Sequence, residues 1–212
     1  MTKVAILDYD AGNLTSVERA VRHLGGDAQV TRERSIIKTA ERVIFPGVGA
    51  AGTSMESLSA YGLDEAIRES VAAGKPVLGI CIGCQVILDE SEEDGGVGCL
   101  GLIPGRAIRF QFPAGVSRKI PHMGWNEVRF LDNSALHPVF RGVDPGSQFY
   151  FVHSYHPVPE HDHDVQARAT YGGVEFTAAI AHENLVAVQF HAEKSGRCGL
   201  RILENFLSWN AE

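Results

Sequence analysis

Lys75-Pro-Val-Leu-Gly-Ile-Cys-Ile-Gly-Cys-Gln85 is the stretch on which the reading of this chain turns. The apolar run Val77 to Ile80 reads as a short buried strand. Gly79-Ile80-Cys81-Ile82-Gly83 then has the spacing of a nucleophile elbow, with Cys81 where that motif usually holds serine. A nucleophile on a sharp strand-to-helix turn sits in a strained backbone, and flanking glycines leave room where a Cβ would clash. A helix starting just after it aims free N–H groups and its positive dipole end at the sulfur, which favours thiolate. Two other readings stand beside this one. Cys81 between two isoleucines also fits an inert core cysteine, and Cys81-x-x-Cys84 fits a redox pair, which leaves Gly79 and Gly83 without a purpose.

Upstream of the elbow, strand and helix alternate. Val4 to Asp8 reads as a buried strand, and Leu14, Val17, Val21 and Leu24 recur at helical spacing before Gly25 and Gly26. Thr15-Ser16-Val17-Glu18 fits a capping box for that helix. Between strand and helix, Asp10 to Asn13 falls where open α/β sheets place ligands, so Asn13 is a candidate site residue. Ala28 to Val30 and Arg42 to Phe45 are further strands, the latter running into Pro46-Gly47-Val48-Gly49. Those glycines let the backbone turn an N–H toward an anion, as an oxyanion hole requires. A nucleotide phosphate loop is disfavoured, since no Gly-Lys-Ser/Thr follows. Leu63 to Ala73 is helical and stopped by Gly74, Cys84 to Leu88 continues as helix after the elbow, and Ser91 to Gly98 is an acidic, glycine-rich loop. The alternation predicts an α/β fold with a mainly parallel sheet covered by helices.

After Leu100 the texture changes. Ala107 to Phe110, Glu127 to Phe130, Gln148 to Val152, Ala167 to Tyr171, Val174 to Ile180 and Leu185 to Gln189 read as additional, antiparallel strands, and Leu200 to Trp209 as a helix. With no linker between the halves, residues 1–212 are expected to form a single domain. At the end of the last strand stands Gln189-Phe-His191-Ala-Glu193. His191 suits proton transfer near neutral pH, and a carboxylate two residues on is placed to orient its ring. His153, His156, His161 and His163, with Asp162 and Asp164, lie in a proline-interrupted polar stretch without the fixed pair spacing of a metal site; a solvated loop and no metal are expected.

Composition narrows the classes. The formal charge of −7 without a basic block argues against a nucleic-acid partner. No apolar run reaches the length of a membrane span and Met1-Thr2-Lys3 enters a strand directly, so a soluble cytoplasmic protein is expected. The four cysteines do not form a disulfide framework in a chain this long and apolar. No cofactor is expected.

Three motifs in one order, Pro46-Gly-Val-Gly49, Gly79-Ile-Cys-Ile-Gly83 with Gln85, and Gln189-Phe-His191-x-Glu193, resemble those of the class I (triad) glutamine amidotransferases and span nearly the whole chain. Asn13-Leu14, Lys119-Ile-Pro-His-Met-Gly-Trp-Asn126 and Tyr150-Phe-Val-His-Ser-Tyr155 narrow the resemblance to the branch that forms glutaminase subunits of imidazole glycerol phosphate synthases. A glutaminase serving another synthase, or a non-catalytic module of the same fold, are the alternatives. The resemblance implies hydrolysis of L-glutamine by a Cys81, His191, Glu193 triad, with an oxyanion hole from Ile82 and the Gly47-Val48-Gly49 segment. It implies that Gln85 and Glu93 hold the amino-acid end of glutamine and that Ser154 and Tyr155 close the pocket. Asn13, Trp125, Tyr150 and Lys194 match positions at the interface of a heterodimer with a (β/α)₈-barrel synthase subunit. That subunit uses the ammonia to make imidazole glycerol phosphate and an aminoimidazole carboxamide ribonucleotide in histidine biosynthesis. The chain departs from the family with Cys84 where methionine is usual and Ala192 where proline is common, which loosens the restraint between His191 and Glu193.

Overall fold

The computed structural model describes residues 1–131 and 136–211. Strand β1 (Lys3–Leu7) shows how the sheet is buried. Val4 and Ile6 enter one apolar cluster and Ala5 and Leu7 another, because alternate side chains of a strand point to opposite faces. Both faces are therefore covered, as a parallel sheet requires.

The chain continues through α1 (Leu14–His23), β2 (Asp27–Thr31), α2 (Arg34–Thr39), β3 (Arg42–Gly47), α3 (Ala51–Ala60), α4 (Leu63–Ala72), β4 (Val77–Cys81) and α5 (Ile82–Val86). Then come β5 (Glu90–Ser91), β6 (Val97–Gly98), β7 (Gly105–Arg109), β8 (His122–Phe130), β9 (Gln148–His153), β10 (Tyr155–Pro159), β11 (Val165–Tyr171), β12 (Val174–His182), β13 (Leu185–Val188) and α6 (Gly196–Ser208). The main sheet has nine strands in the order β2-β1-β3-β4-β13-β12-β11-β8-β9. From β2 to β13 the neighbours are parallel; from β13 to β9 they are antiparallel. A smaller sheet, β10-β7-β5-β6, lies beside it. The expected α/β class, parallel first and antiparallel in the C-terminal half, is what the chain adopts. Val17 and Val21 of α1 and Ile202, Leu203 and Phe206 of α6 pack in one cluster, while Leu58 of α3, Ile67 of α4 and Val86 of α5 pack in the other. Each such buried aliphatic or aromatic side chain contributes about 1.5–3 kcal/mol relative to exposure.

Two local expectations are corrected. The Thr15 capping box does not form: α1 already begins at Leu14, and Glu18 instead pairs with Arg22 one turn on at 2.9 Å. Asn13 occupies the cap position in a left-handed conformation (φ 74°) with no side-chain cap bond, because its amide reaches the functional site. The histidine-rich stretch is not one solvated loop. Tyr155–Pro159 is strand β10, and His153 and His156 are buried in the core. Pro157 and Pro159 are tolerated because β10 is the edge strand of the smaller sheet, where a missing N–H leaves no gap in the ladder. Helices α2 and α3 are unannounced in the sequence reading; Ala51–Ala60 carries little apolar periodicity and is held by packing and by a distant cap.

Candidate active site

Strands β3, β4 and β13 are adjacent and parallel, with Gly47 opposite Cys81 and Val188 opposite Ile80. Their carboxyl ends therefore deliver the Pro46–Gly49 segment, Cys81 and the Gln189–Glu193 segment to one edge of the sheet, the position at which open α/β sheets bind ligands. Cys81 has φ 57° and ψ −105°, a conformation that side-chain-bearing residues rarely adopt. The flanking glycines are required by contact: a Cβ on Gly83 would run into the carbonyl oxygen of Phe45, and one on Gly79 would come within 2.9 Å of the Gly83 carbonyl oxygen. Helix α5 starts at Ile82, so Cys81 stands at its N-cap, beside the positive end of the helix. Gly47 is packed equally closely, with no room for a Cβ against the Tyr9 hydroxyl and Ile82.

His191 is brought over Cys81 by a tight turn. Its N–H donates to Tyr150 O at 2.8 Å, and its carbonyl accepts from Ser195 Oγ at 2.6 Å. Nδ1 of His191 lies 2.8 Å from Glu193 Oε1, and the Cys81 side chain is near enough to act on the same imidazole. The Ala192–Lys194 turn thus holds the His191–Glu193 pair without proline. Glu193 is fully buried through its side chain; Oε1 additionally accepts from Asn13 Nδ2, while Oε2 has no partner among the described residues. Burial disfavours a charged His191, but hydrogen bonds and charges of Cys81 and Glu193 outweigh it and push the imidazole up to about 10. Cys84, in contrast, is fully buried, and burial followed by the nearby Cys81 raises its thiol well above the ordinary range. It is a core side chain and a poor resolving thiol for a redox pair.

Val48, Gly49, Ile82, Gln85, Glu93, Ser154 and Tyr155 line, with Cys81, a cleft of about 220 Å³. Gly47 lies beneath it, buried. Gln85 is buried, and its Nε2 donates at 3.0 Å both to Tyr155 O and to Gln189 Oε1. Glu93 Oε2 accepts from the Ala51 N–H at 2.8 Å and so caps α3; burial raises the pKa of this carboxyl. Of the residues matched to a partner interface, Trp125 is 56% exposed and Lys194 is exposed, Tyr150 is half-buried with its ring edge-on to Trp125, and Asn13 is turned inward onto Glu193. A broader depression of about 1010 Å³ beside Trp125 and Met123 shares Pro121 with the cleft.

Sequence reasoning gave no separate role to Gln189, Ser195 or Tyr9. Gln189 Nε2 points at Cys81 Sγ from 3.9 Å, Ser195 Oγ bridges His191 and the Tyr150 N–H, and the buried Tyr9 hydroxyl lies against Gly47. Polar residues just past strand ends are the only local signal, and that signal does not say which strand ends meet. The ligand atoms of His163, Asp164 and His182 lie within 4.8 Å of one another. Both imidazoles are exposed, and Asp164 Oδ1 already accepts from His182 Nδ1 at 2.8 Å, which accounts for the grouping.

Residues 5–209 match the family described as Glutamine amidotransferase class-I, and the chain belongs to that family. Solved structures with the same fold include PurLQS from Thermotoga maritima, with a TM-score of 0.71, 17% identity and 98% of each chain covered. A second, described as a glutamine amidotransferase, has a TM-score of 0.69 and 20% identity over 97% of this chain and 99% of that one. Sequence relatives are more particular, and they are imidazole glycerol phosphate synthase subunits HisH. That of Methylococcus capsulatus is 48% identical, covering 99% of this chain and 97% of its own. That of Nitratidesulfovibrio vulgaris is 50% identical, covering 96% and 94%.

Proposed function

We propose that this chain is the glutaminase subunit of an imidazole glycerol phosphate synthase: it hydrolyses L-glutamine and passes the ammonia to a (β/α)₈-barrel synthase subunit with which it forms a cytoplasmic heterodimer. The observation that carries this reading is the meeting of Cys81, which ends β4 and lines the cleft, with the His191–Glu193 pair that follows the neighbouring β13, in a chain whose relatives bear that subunit's name.

The sulfur of Cys81 adds to the side-chain amide carbonyl of glutamine. His191 holds the thiol proton, delivers it to the leaving nitrogen, and is kept in orientation by Glu193. Ammonia departs, and water attacks the thioester to release glutamate. The tetrahedral oxygen is met by the N–H of Ile82 at the start of α5 and by the N–H of Val48, whose neighbours Gly47 and Gly49 leave that peptide free to turn. Losing one such donor costs roughly a hundredfold or more in rate. Gln85 and Glu93 bind the amino-acid end of the substrate, and Ser154 and Tyr155 form the opposite wall.

Free ammonia in water is mostly protonated, so a glutaminase is useful only when an acceptor site receives the product directly. Exposed Met123 (63%) and Trp125, with the depression beside them, supply an apolar surface near the cleft for the barrel subunit. Tyr150, Lys194 and Asn13 complete that face.

The test is glutamate release by the purified chain, alone and with the barrel subunit and its nucleotide ligand, with Cys81→Ala as control. Stimulated release that vanishes in Cys81→Ala supports the triad and the partner together. Unstimulated, Cys81-dependent release reassigns the acceptor, and no release in any pairing rejects the glutaminase reading.

A further inference from the structure

The Pro121-His122-Met123-Gly124-Trp125-Asn126 run places His122 and Asn126 on one face of β8 and Met123 and Trp125 on the other. The exposed pair belongs to the docking face. His122 is almost fully buried, stacked between Tyr171 (ring centroids 4.1 Å, 26°) and Phe151 (4.9 Å, 27°), and docking gives it no role.

Its nitrogens are engaged in a directional chain. His153 Nδ1 lies 2.7 Å from Tyr155 O, and a carbonyl only accepts, so His153 carries its proton on Nδ1. Burial lowers the pKa of His153 well below 6.5, leaving the ring neutral and Nε2 a bare acceptor. His122 Nδ1, 2.9 Å away, must then be the donor. Burial likewise lowers His122 to about 4, so its Nε2 is bare and faces the amide nitrogen of Asn126 at 3.4 Å, which also donates to Thr170 O at 2.9 Å. One acceptor thus sets two tautomers and an amide orientation.

Tyr155 O receives a second donor, Gln85 Nε2, which occupies its other lone pair. That carbonyl is therefore an anchor. The same Gln85 nitrogen donates to Gln189 Oε1, and Gln189 Nε2 in turn faces Cys81 Sγ. With both contacts of its nitrogen on acceptors, Gln85 has its side-chain oxygen left to take a donor.

We infer that Asn126, His122 and His153 form a buried positioning relay that pins the Tyr155 carbonyl and, through it, fixes the orientation of Gln85 toward the substrate ammonium. This rests on the glutaminase reading for the identity of the substrate. Of the three, His153 lines the cleft, while His122 and Asn126 lie outside it and act through His153. Such networks are worth more than their separate bonds because each polarised member orients the next.

The experiment joins two readouts on the full chain with its barrel subunit. Nitrogen-15 NMR of histidine-labelled protein reports tautomers directly: His122 and His153 are both expected as Nδ1–H forms, and an Nε2–H form of either overturns the relay. In kinetics, His122→Phe keeps the stacked ring and removes the donor, and Asn126→Ala removes the outer amide from a half-buried position. His122→Phe raises KM for glutamine about tenfold, the loss of one buried hydrogen bond, and Asn126→Ala raises it less. In both, kcat and the rate of Cys81 alkylation by iodoacetamide stay near wild type. An unchanged KM in His122→Phe overturns the positioning role, as does a fall in kcat with alkylation reduced in parallel, since that marks general disruption. Absence of Cys81-dependent glutamate release from the wild type rejects the glutaminase reading instead, and the NMR tautomers still decide the relay.

Discussion

The side-chain amide of Asn13 donates to Oε1 of Glu193, the same oxygen that holds His191 Nδ1 at 2.8 Å. Asn13 follows β1 and Glu193 follows β13, so this bond ties the first strand's end to the last one's. It also gives a buried carboxylate a second donor, and hydrogen bonds to charged groups are worth about 1.5–3 kcal/mol.

Asn13→Gly keeps the left-handed backbone and removes only the amide. We expect kcat for glutamate release by the chain to fall about tenfold or more with KM little changed. An interface-only role for Asn13 predicts unaltered activity of the isolated chain and weaker partner binding, so assaying both separates the two.

The strain at Cys81 has a thermodynamic signature. Cys81→Ala and Cys81→Gly both abolish activity and lose the same sulfur contacts, but only glycine relieves a backbone at φ 57°, ψ −105°. Cys81→Gly should therefore be more stable than Cys81→Ala by about 1 kcal/mol or more, measured by denaturant unfolding. Equal midpoints would show that the elbow stores no strain.

His191 predicts a pH dependence with a definite sign. Its pKa is raised from 6.5 in the unfolded chain to about 10 in the folded one, so its contribution to stability is complete below pH 6.5 and is lost as pH rises to about 10. The stability difference between wild type and His191→Gln should shrink across that window. Because Cys81 is one of the two groups that raise the pKa, Cys81→Ala should move the His191 titration, followed by its ring carbon-bound proton in NMR, to lower pH. A titration that stays in place would assign the shift to Glu193 alone.

Trp125 is exposed and rests edge-on against Tyr150. Trp125→Ala should cost the free chain about 1 kcal/mol or less, yet weaken association with the barrel subunit by about 2 kcal/mol, roughly thirtyfold in Kd. Calorimetric titration reads the affinity and thermal unfolding the stability; an unchanged Kd removes Trp125 from the docking face.

The elbow of Cys81 with Gly79 and Gly83, and the contact between His191 and Glu193, were legible because local chain geometry dictates them. A strand that turns sharply into a helix needs glycines beside the nucleophile, and period-two and period-3.6 apolar patterns mark the elements that carry the turn. The parallel order of the first half and the antiparallel texture of the second were readable for the same reason.

What only the tertiary structure decided lies in contacts between residues far apart in the chain. Asn13 is legible only as a candidate in the turn after β1, and its partner Glu193 is not; Glu93 reads as part of an acidic loop but caps α3. His153 and His156 read as polar loop and are core: His153 ends β9, and His156 lies in β10, whose prolines are accepted at a sheet edge. Local pattern sets which residues form strand or helix, since backbone sterics and apolar periodicity act over a few residues. Which strand ends lie side by side, and so which buried donor finds which acceptor, is set by sheet order, and sheet order is a property of the packed chain.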